Sequence, residues 1–83
     1  MPEKISIRRL TRVLTEDLGF ELRIRSSHHI FTRPGTGILF NLQPFGNDEV
    51  KPYQLAQVKK VLLDNGIVSE GELQEVIRKA QRS

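Results

Sequence analysis

Two adjacent histidines stand out in this sequence because arginine and serine precede them, in the order Arg25-Ser26-Ser27-His28-His29. Histidine has an unperturbed pKa of about 6.5, so it can accept and return a proton near neutral pH. Arginine can bind phosphate oxygens through two parallel hydrogen bonds. The segment could therefore support acid–base chemistry on a phosphate-bearing partner. The alternative from the residues alone is one half-buried histidine beside one solvated histidine.

Charge is unevenly distributed along the chain. Residues 1–40 carry seven of the 13 basic side chains and four of the 10 acidic ones, so residues 41–83 balance at six against six. The positive excess therefore lies in the half that contains the histidines, and this indicates a polyanionic partner. Ordinary scatter of charge over a solvated surface is the alternative interpretation.

A first helix is predicted before the histidines. Ser6 is placed to cap its start and Gly19 to end it. Its apolar positions recur at helical spacing: Ile7, Leu10, Leu14 and Leu18, with Val13 at the border of the stripe. Arg8, Arg9 and Arg12 point away from this stripe, and a solvated outer face is the better interpretation of them than a binding surface.

Residues 20–43 predict a three-stranded meander. Apolar and charged residues alternate from Phe20 to Arg25, as in a strand covered on one side. After a turn at Ser26-Ser27, the residues of 28–32 have the β-branched and aromatic character of a second strand. Arg33-Pro34-Gly35-Thr36 suits a type II turn into a third strand. The inward positions would be Phe20, Leu22 and Ile24 in the first strand and Ile38, Phe40 and Leu42 in the third.

Two more helices are predicted after a polar loop at residues 44–51. Pro52 suits the first turn of a helix that Gly66 ends, and Ser69 with Glu72 forms a capping box for the last helix. The inner faces would be Leu55, Val58, Val61 and Leu62 in the former, and Leu73, Val76, Ile77 and Ala80 in the latter. The result is an α+β fold in the order α-β-β-β-α with an extra short C-terminal helix. We expect the helices to cover one face of the antiparallel sheet and leave the other face open.

Composition limits the remaining possibilities. Eighty-three residues with 37% hydrophobic content suit a single domain, residues 1–83, with one modest core. The chain has no cysteine, and two adjacent histidines cannot complete a zinc shell, so we expect no bound metal and no cofactor. No apolar run is long enough to span a membrane, which predicts a soluble, cytoplasmic protein without membrane contact.

These pieces, in this order, resemble the HicA family of small bacterial mRNA interferase toxins, which have a double-stranded-RNA-binding-like fold. The matching segments are IRRLTRVLTEDLGF, ELRIR, SSHHIF, a Pro-Gly hairpin, and VKPYQLAQVKKVLLDNGI followed by a short helix. The resemblance covers roughly residues 5–80. It implies a metal-independent endoribonuclease that cleaves mRNA, acting as the toxin of a type II toxin–antitoxin pair with a HicB-type antitoxin protein as its partner.

The resemblance also implies roles for individual residues. In the family the segment usually reads Gly-Ser-His, and the histidine after the serine is catalytic, which corresponds to His28. Strand alternation puts the two histidines on opposite faces without saying which face is open, so only this correspondence favours His28. The RNA-binding residues would be Arg23, Arg25, Ser27, His29 and Lys51.

The sequence departs from the family pattern at two places. Ser26 stands where glycine is typical, which would strain a turn that needs a positive φ. The loop after the third strand contains Phe45, Asp48 and Glu49 where relatives tend to have histidine and lysine, and its carboxylates would repel phosphate. Both departures favour a non-catalytic RNA-binding module as the main alternative function. A small adaptor that docks through its terminal helix is a third interpretation.

Overall fold

The computed structural model of the protein describes residues 4–43 and 48–81. Its elements are α1 (Ile7–Arg12), a π-helical turn (Val13–Asp17), β1 (Glu21–Arg25), β2 (His28–Arg33), β3 (Ile38–Leu42), α2 (Pro52–Asp64) and α3 (Glu70–Gln81). The predicted α+β class and the order of the elements are confirmed. Residues 44–47 of the predicted polar loop, which include Phe45, lie outside the described residues.

The first helical segment begins at the predicted cap and stops before the predicted Gly19, which has φ +77°, but its last turn is not α-helical. Ser6 Oγ accepts a hydrogen bond from the Arg9 backbone N–H at 3.3 Å, which confirms the cap. Regular α-helix stops at Arg12, and the backbone N–H of Leu18 then bonds to Val13 O, five residues back, at 3.2 Å. This wider π turn was not predicted, because the apolar stripe of the sequence fits an α turn equally well.

The three strands form one antiparallel sheet in the order β1-β2-β3, which confirms the predicted meander. In the register of the sheet, Leu22 lies opposite Phe31, and Phe31 lies opposite Phe40. Between β2 and β3, the Thr36 N–H donates to Arg33 O at 3.2 Å and Gly35 has φ +80°. This is the geometry of the predicted type II turn, whose third position favours glycine.

One face of the sheet carries the core. The Phe40 ring stacks on Phe31 at 5.2 Å and meets the edge of Phe20 at 5.4 Å, and all three side chains are buried with residues of the helices. Ile24 was predicted to face inward, and its side of the strand is the inner one, but it is 59% exposed. The reason is that β1 is an edge strand whose main contacts are with β2.

The last two helices begin and end where the sequence indicates. Pro52 is the first residue of α2, Gly66 follows it with φ +68°, and Ser69 and Glu72 form both bonds of the capping box before α3. The predicted inner face of α2 packs against the core. Val58 and Leu62 are buried and Leu55 and Val61 are partly buried against them, and the unpredicted Gln54 is buried on the same helix.

Within residues 4–43 and 48–81, no helix is long and apolar enough to cross a lipid bilayer.

Candidate active site

The hairpin between β1 and β2 brings the arginines and one histidine together. Its loop has only two residues, Ser26 and Ser27, so Arg25 lies directly opposite His28 and Arg23 lies opposite Ile30. Side chains directly opposite each other in an antiparallel pair share a face, with Cβ atoms about 4.5–5.5 Å apart. Arg25 and His28 are therefore neighbours on one face of the sheet, and Arg23 is next along β1.

This shared face is the open one. It carries every second residue of each strand, and these side chains point away from the buried phenylalanines. His28, Arg23 and Arg25 on this face are all exposed. In the described part of the chain, neither arginine has a carboxylate within ion-pair distance. The face is thus cationic beside His28, as an anionic phosphate requires.

His29 lies on the other face. It is opposite Ile24 on β1 and Leu42 on β3, and its side chain is half-buried. Its buried Nδ1 atom has no hydrogen-bond partner among residues 4–43 and 48–81. The predicted alternation of the two histidines is confirmed. Because the sheet separates them, His29 cannot act on a group held between His28 and Arg25.

The hairpin loop has an unusual backbone conformation. Ser26, its first residue, has φ +54°, whereas Ser27 is not in the left-handed region. Two-residue hairpin loops with positive φ at the first central position favour glycine there. The turn therefore supplies a physical reason for glycine at this position. Both serines are exposed, and Ser27 immediately precedes His28.

The start of α2 lies at the same end of the sheet as the hairpin. Leu42 is opposite His29, so the next residue of the chain, Gln43, continues toward the position opposite His28. The Gln54 side chain donates from Nε2 to Gln43 O at 2.9 Å and accepts from the Lys51 backbone N–H at 2.9 Å. This buried amide therefore ties Lys51, the N-cap residue of α2, to the end of β3.

Gln54 was missed in the sequence reasoning, although a signal for it exists. It precedes Val58 by four residues and Leu62 by eight, which places it on the buried stripe of α2. A polar residue on such a stripe needs hydrogen-bond partners inside the protein. Its two bonds to backbone groups meet this need.

Asp48 serves the start of α1. Its carboxylate accepts from Ser6 Oγ at 2.7 Å, and its backbone carbonyl accepts from the Ile7 N–H at 3.1 Å. Glu49 forms an isolated β-bridge with Ser6. Asp48 is exposed and has this contact within the fold, and its predicted repulsion of phosphate stays a prediction.

The remaining arginines have other positions. Arg33 donates from Nε to Leu18 O at 3.1 Å and so attaches the end of the π turn to the sheet. Arg12 is 3.9 Å from Glu16, while Arg8 and Arg9 are exposed on the side of α1 away from its buried residues, as predicted. Among the described residues, no three His, Asp or Glu side chains are grouped so that they could hold a metal ion.

The comparisons with known proteins agree with this architecture. A family model described as "HicA toxin of bacterial toxin-antitoxin" matches residues 7–67, which is well over half of the 83-residue chain. No curated protein and no solved structure gives a significant match. The matched range includes the Arg25–His28 pair, the whole sheet and all of α2. The chain therefore belongs to the HicA family of toxins from bacterial toxin–antitoxin systems.

Proposed function

We propose that this toxin is a metal-independent endoribonuclease that cleaves mRNA with His28 as its general acid or base. The observation that carries the proposal is the direct pairing of Arg25 with His28 on the open sheet face. A proton-transfer group and a phosphate-binding cation are neighbours there, on a surface that a nucleic acid can reach. Family membership supports the assignment, because the family consists of toxins.

The reaction that fits this pair needs only groups of the protein and the RNA. Neutral His28 takes the proton from a ribose 2′-OH, and the 2′-oxygen forms a bond to the adjacent phosphorus. The bond from phosphorus to the 5′-oxygen breaks and that oxygen takes up the proton that His28 gives back, so a 2′,3′-cyclic phosphate and neutral His28 remain. Such a proton-transfer group typically contributes about 10²–10⁴-fold to the rate. Arg25 and Arg23 would stabilise the negative phosphoryl oxygens.

Three other side chains would contact RNA around this centre. Ser27 is exposed beside His28 and can donate a hydrogen bond to a phosphate or ribose oxygen. Lys51 lies at the same end of the sheet, at the start of α2. His29 is on the inner face, so it would contact RNA only where the RNA strand passes around the hairpin end of the sheet.

Family membership also supports an antitoxin partner, and we propose that it is a HicB-type protein. It would cover the open sheet face, since a bound protein there prevents RNA from reaching His28. Covering this face would also bury Leu39, which is 60% exposed in the free protein.

The pair of histidines provides a matched test of the proposal. Purified wild-type, His28→Ala and His29→Ala proteins would be compared for cleavage of one reporter RNA, with circular dichroism to confirm folding. We expect His28→Ala to lose cleavage by at least about 10²-fold while retaining RNA affinity, and His29→Ala to keep most of its cleavage. Equal cleavage by wild type and His28→Ala would contradict the proposal.

A non-catalytic RNA-binding module of the same fold is the second candidate function. The observation in its favour is the positive φ of Ser26, which is unfavourable for serine and lies next to the proposed centre. This candidate predicts that the folded wild-type protein binds RNA without cleaving it. In bacterial cells, growth and the reporter mRNA would then be unaffected by expression of either wild-type or His28→Ala protein.

A further inference from the structure

The exposed tyrosine of α2 provides an inference that rests on the proposed function and deepens it. The chain has four phenylalanines, one tyrosine and no tryptophan. Phe20, Phe31 and Phe40 are buried in the core, and Phe45 is outside the described residues. Tyr53 is 66% exposed, and within the described residues its side chain has no hydrogen bond and no ring contact. Its ring is therefore available to a ligand.

The open sheet face lacks such a ring. Its described residues are Glu21, Arg23, Arg25, His28, Ile30, Thr32, Leu39 and Asn41, none of which is phenylalanine, tyrosine or tryptophan. The arginines of this face can hold phosphates, but phosphate contacts alone do not hold a base. Single-stranded RNA is usually bound by stacking its unpaired bases on aromatic side chains. A stacking ring would therefore have to come from beside the sheet.

Gln54 holds the start of α2, and with it Tyr53, at the end of the sheet where His28 lies. Tyr53 is the second residue of α2, directly before Gln54, and Gln54 is bonded to Gln43 O where β3 ends. That end of β3 lies beside the β2 residues His28 and His29. An RNA strand whose phosphate lies at Arg25 and His28 can thus continue around the end of the sheet to the first turn of α2.

We propose that Tyr53 is a substrate-binding residue that stacks on an unpaired base of single-stranded RNA next to the phosphate at His28. The substrate class is therefore single-stranded RNA rather than duplex, because a paired base does not expose its face. A nucleic acid is favoured over a protein as the ligand because two cations, Lys51 and Arg25, lie at this same end of the sheet.

The sequence offers a direct probe for this contact. Tyr53 is the only tyrosine and there is no tryptophan, so the intrinsic fluorescence of the protein reports on this ring alone. A short single-stranded RNA would be titrated into the uncleaving His28→Ala protein, with binding followed separately by anisotropy of a dye-labelled copy. We expect the tyrosine emission to be quenched over the same concentration range as binding. An oligonucleotide with abasic sites should bind with much less quenching.

Affinity measurements complete the test. In the same His28→Ala background, Tyr53→Ala should weaken RNA binding about 5- to 150-fold, corresponding to the ~1–3 kcal/mol that one stacked base contributes. Tyr53→Phe keeps the ring and should bind as well as its parent. Gln57→Ala, an exposed residue one turn further along α2, is the matched control and should have no effect.

The outcomes separate this inference from the proposed function. RNA binding without tyrosine quenching, together with full affinity of Tyr53→Ala, would overturn the role of Tyr53 but leave the endoribonuclease proposal intact. If the antitoxin protein quenched the tyrosine emission but RNA did not, the role of Tyr53 in RNA binding would also be overturned, because the ring would then contact a protein. Quenching and weakened binding in a protein whose wild type cleaves no RNA would support the role of Tyr53 and remove the proposed catalysis.

Discussion

At the scale of single residues, the backbone conformation of Ser26 offers a substitution that should stabilise the protein. A residue other than glycine in the left-handed region costs about 1–2 kcal/mol, and glycine loses about 0.5–1 kcal/mol through its greater freedom in the unfolded chain. With φ +54° at this position, we expect Ser26→Gly to raise the free energy of unfolding by about 0.5–1 kcal/mol. Urea denaturation monitored by circular dichroism measures this change.

Ser27 provides the control for this prediction. It lies in the same two-residue loop but does not have a positive φ, so Ser27→Gly gains nothing from relief of strain and should destabilise the protein slightly. If both glycine variants changed stability by the same amount, the effect would come from the unfolded chain and not from the strain at Ser26.

A second prediction at this scale concerns the buried amide of Gln54. Gln54→Leu keeps the side-chain size but leaves the Lys51 N–H and Gln43 O without their partner. We expect a loss of about 1–3 kcal/mol in the free energy of unfolding, because unpaired polar groups cost more than a hydrogen bond contributes. Gln57→Leu changes an exposed position of the same helix and should be near neutral. Equal effects of the two variants would rule out a stabilising role for the two hydrogen bonds of Gln54.

At the scale of elements, an ion pair joins the π turn to the last helix. Lys79 Nζ lies 2.8 Å from Asp17 Oδ2, and the hydrogen bond and charge of Asp17 raise the pKa of Lys79 above its ordinary value of 10.5. A raised lysine pKa means that the folded protein holds the proton more tightly than the unfolded chain. The pair therefore stabilises the fold below pH 10.5, and this contribution is lost as the pH rises through the raised pKa.

This linkage predicts a pH-dependent difference between two proteins. Near neutral pH, Lys79→Gln should melt slightly below the wild type, and the difference should shrink well above pH 10.5. Because both side chains are substantially exposed, the difference should be small and should also shrink at high salt. Melting temperatures by differential scanning calorimetry test this, and a difference independent of pH would show that Lys79 acts through packing alone.

At the scale of the whole molecule, two pairs of arginines lie on different sides of the protein. Arg23 and Arg25 lie on the open sheet face with His28, whereas Arg8 and Arg9 lie on the outer side of α1, away from the core. Of these two pairs, the first shares the face of His28, so it is the pair expected to contact RNA under the proposed function. The net charge of +3 therefore matters less for binding than the face on which each cation lies.

The dependence of RNA affinity on salt distinguishes these groups. The slope of log affinity against log salt is about −0.7 for each phosphate contact of a single strand. We expect Arg23→Gln or Arg25→Gln to weaken binding and reduce the steepness of this slope by about 0.7. Arg8→Gln removes the same charge from the other side and should leave the slope almost unchanged. Equal slopes for all three variants would place the RNA elsewhere.

Much of the architecture was already contained in local patterns of the sequence. The Ser6 cap, the Pro34-Gly35 turn and the capping box of Ser69 and Glu72 each depend on residues within a few positions of one another. Such signals work through short-range hydrogen bonds and backbone preferences, so they can be recognised without knowing the fold. The segment with the two histidines was also recognisable as the place where chemistry is concentrated.

Only the tertiary structure decided which surfaces meet. Alternation put the histidines on opposite faces, but the helices determine which face is buried, and they leave His28 in the open and His29 half-buried. The exposure of Ile24, the burial of Gln54 and the contact of Asp48 with Ser6 arise in the same way, from packing and hydrogen bonds between distant segments. Residue periodicity describes one element at a time, whereas burial depends on what packs against that element.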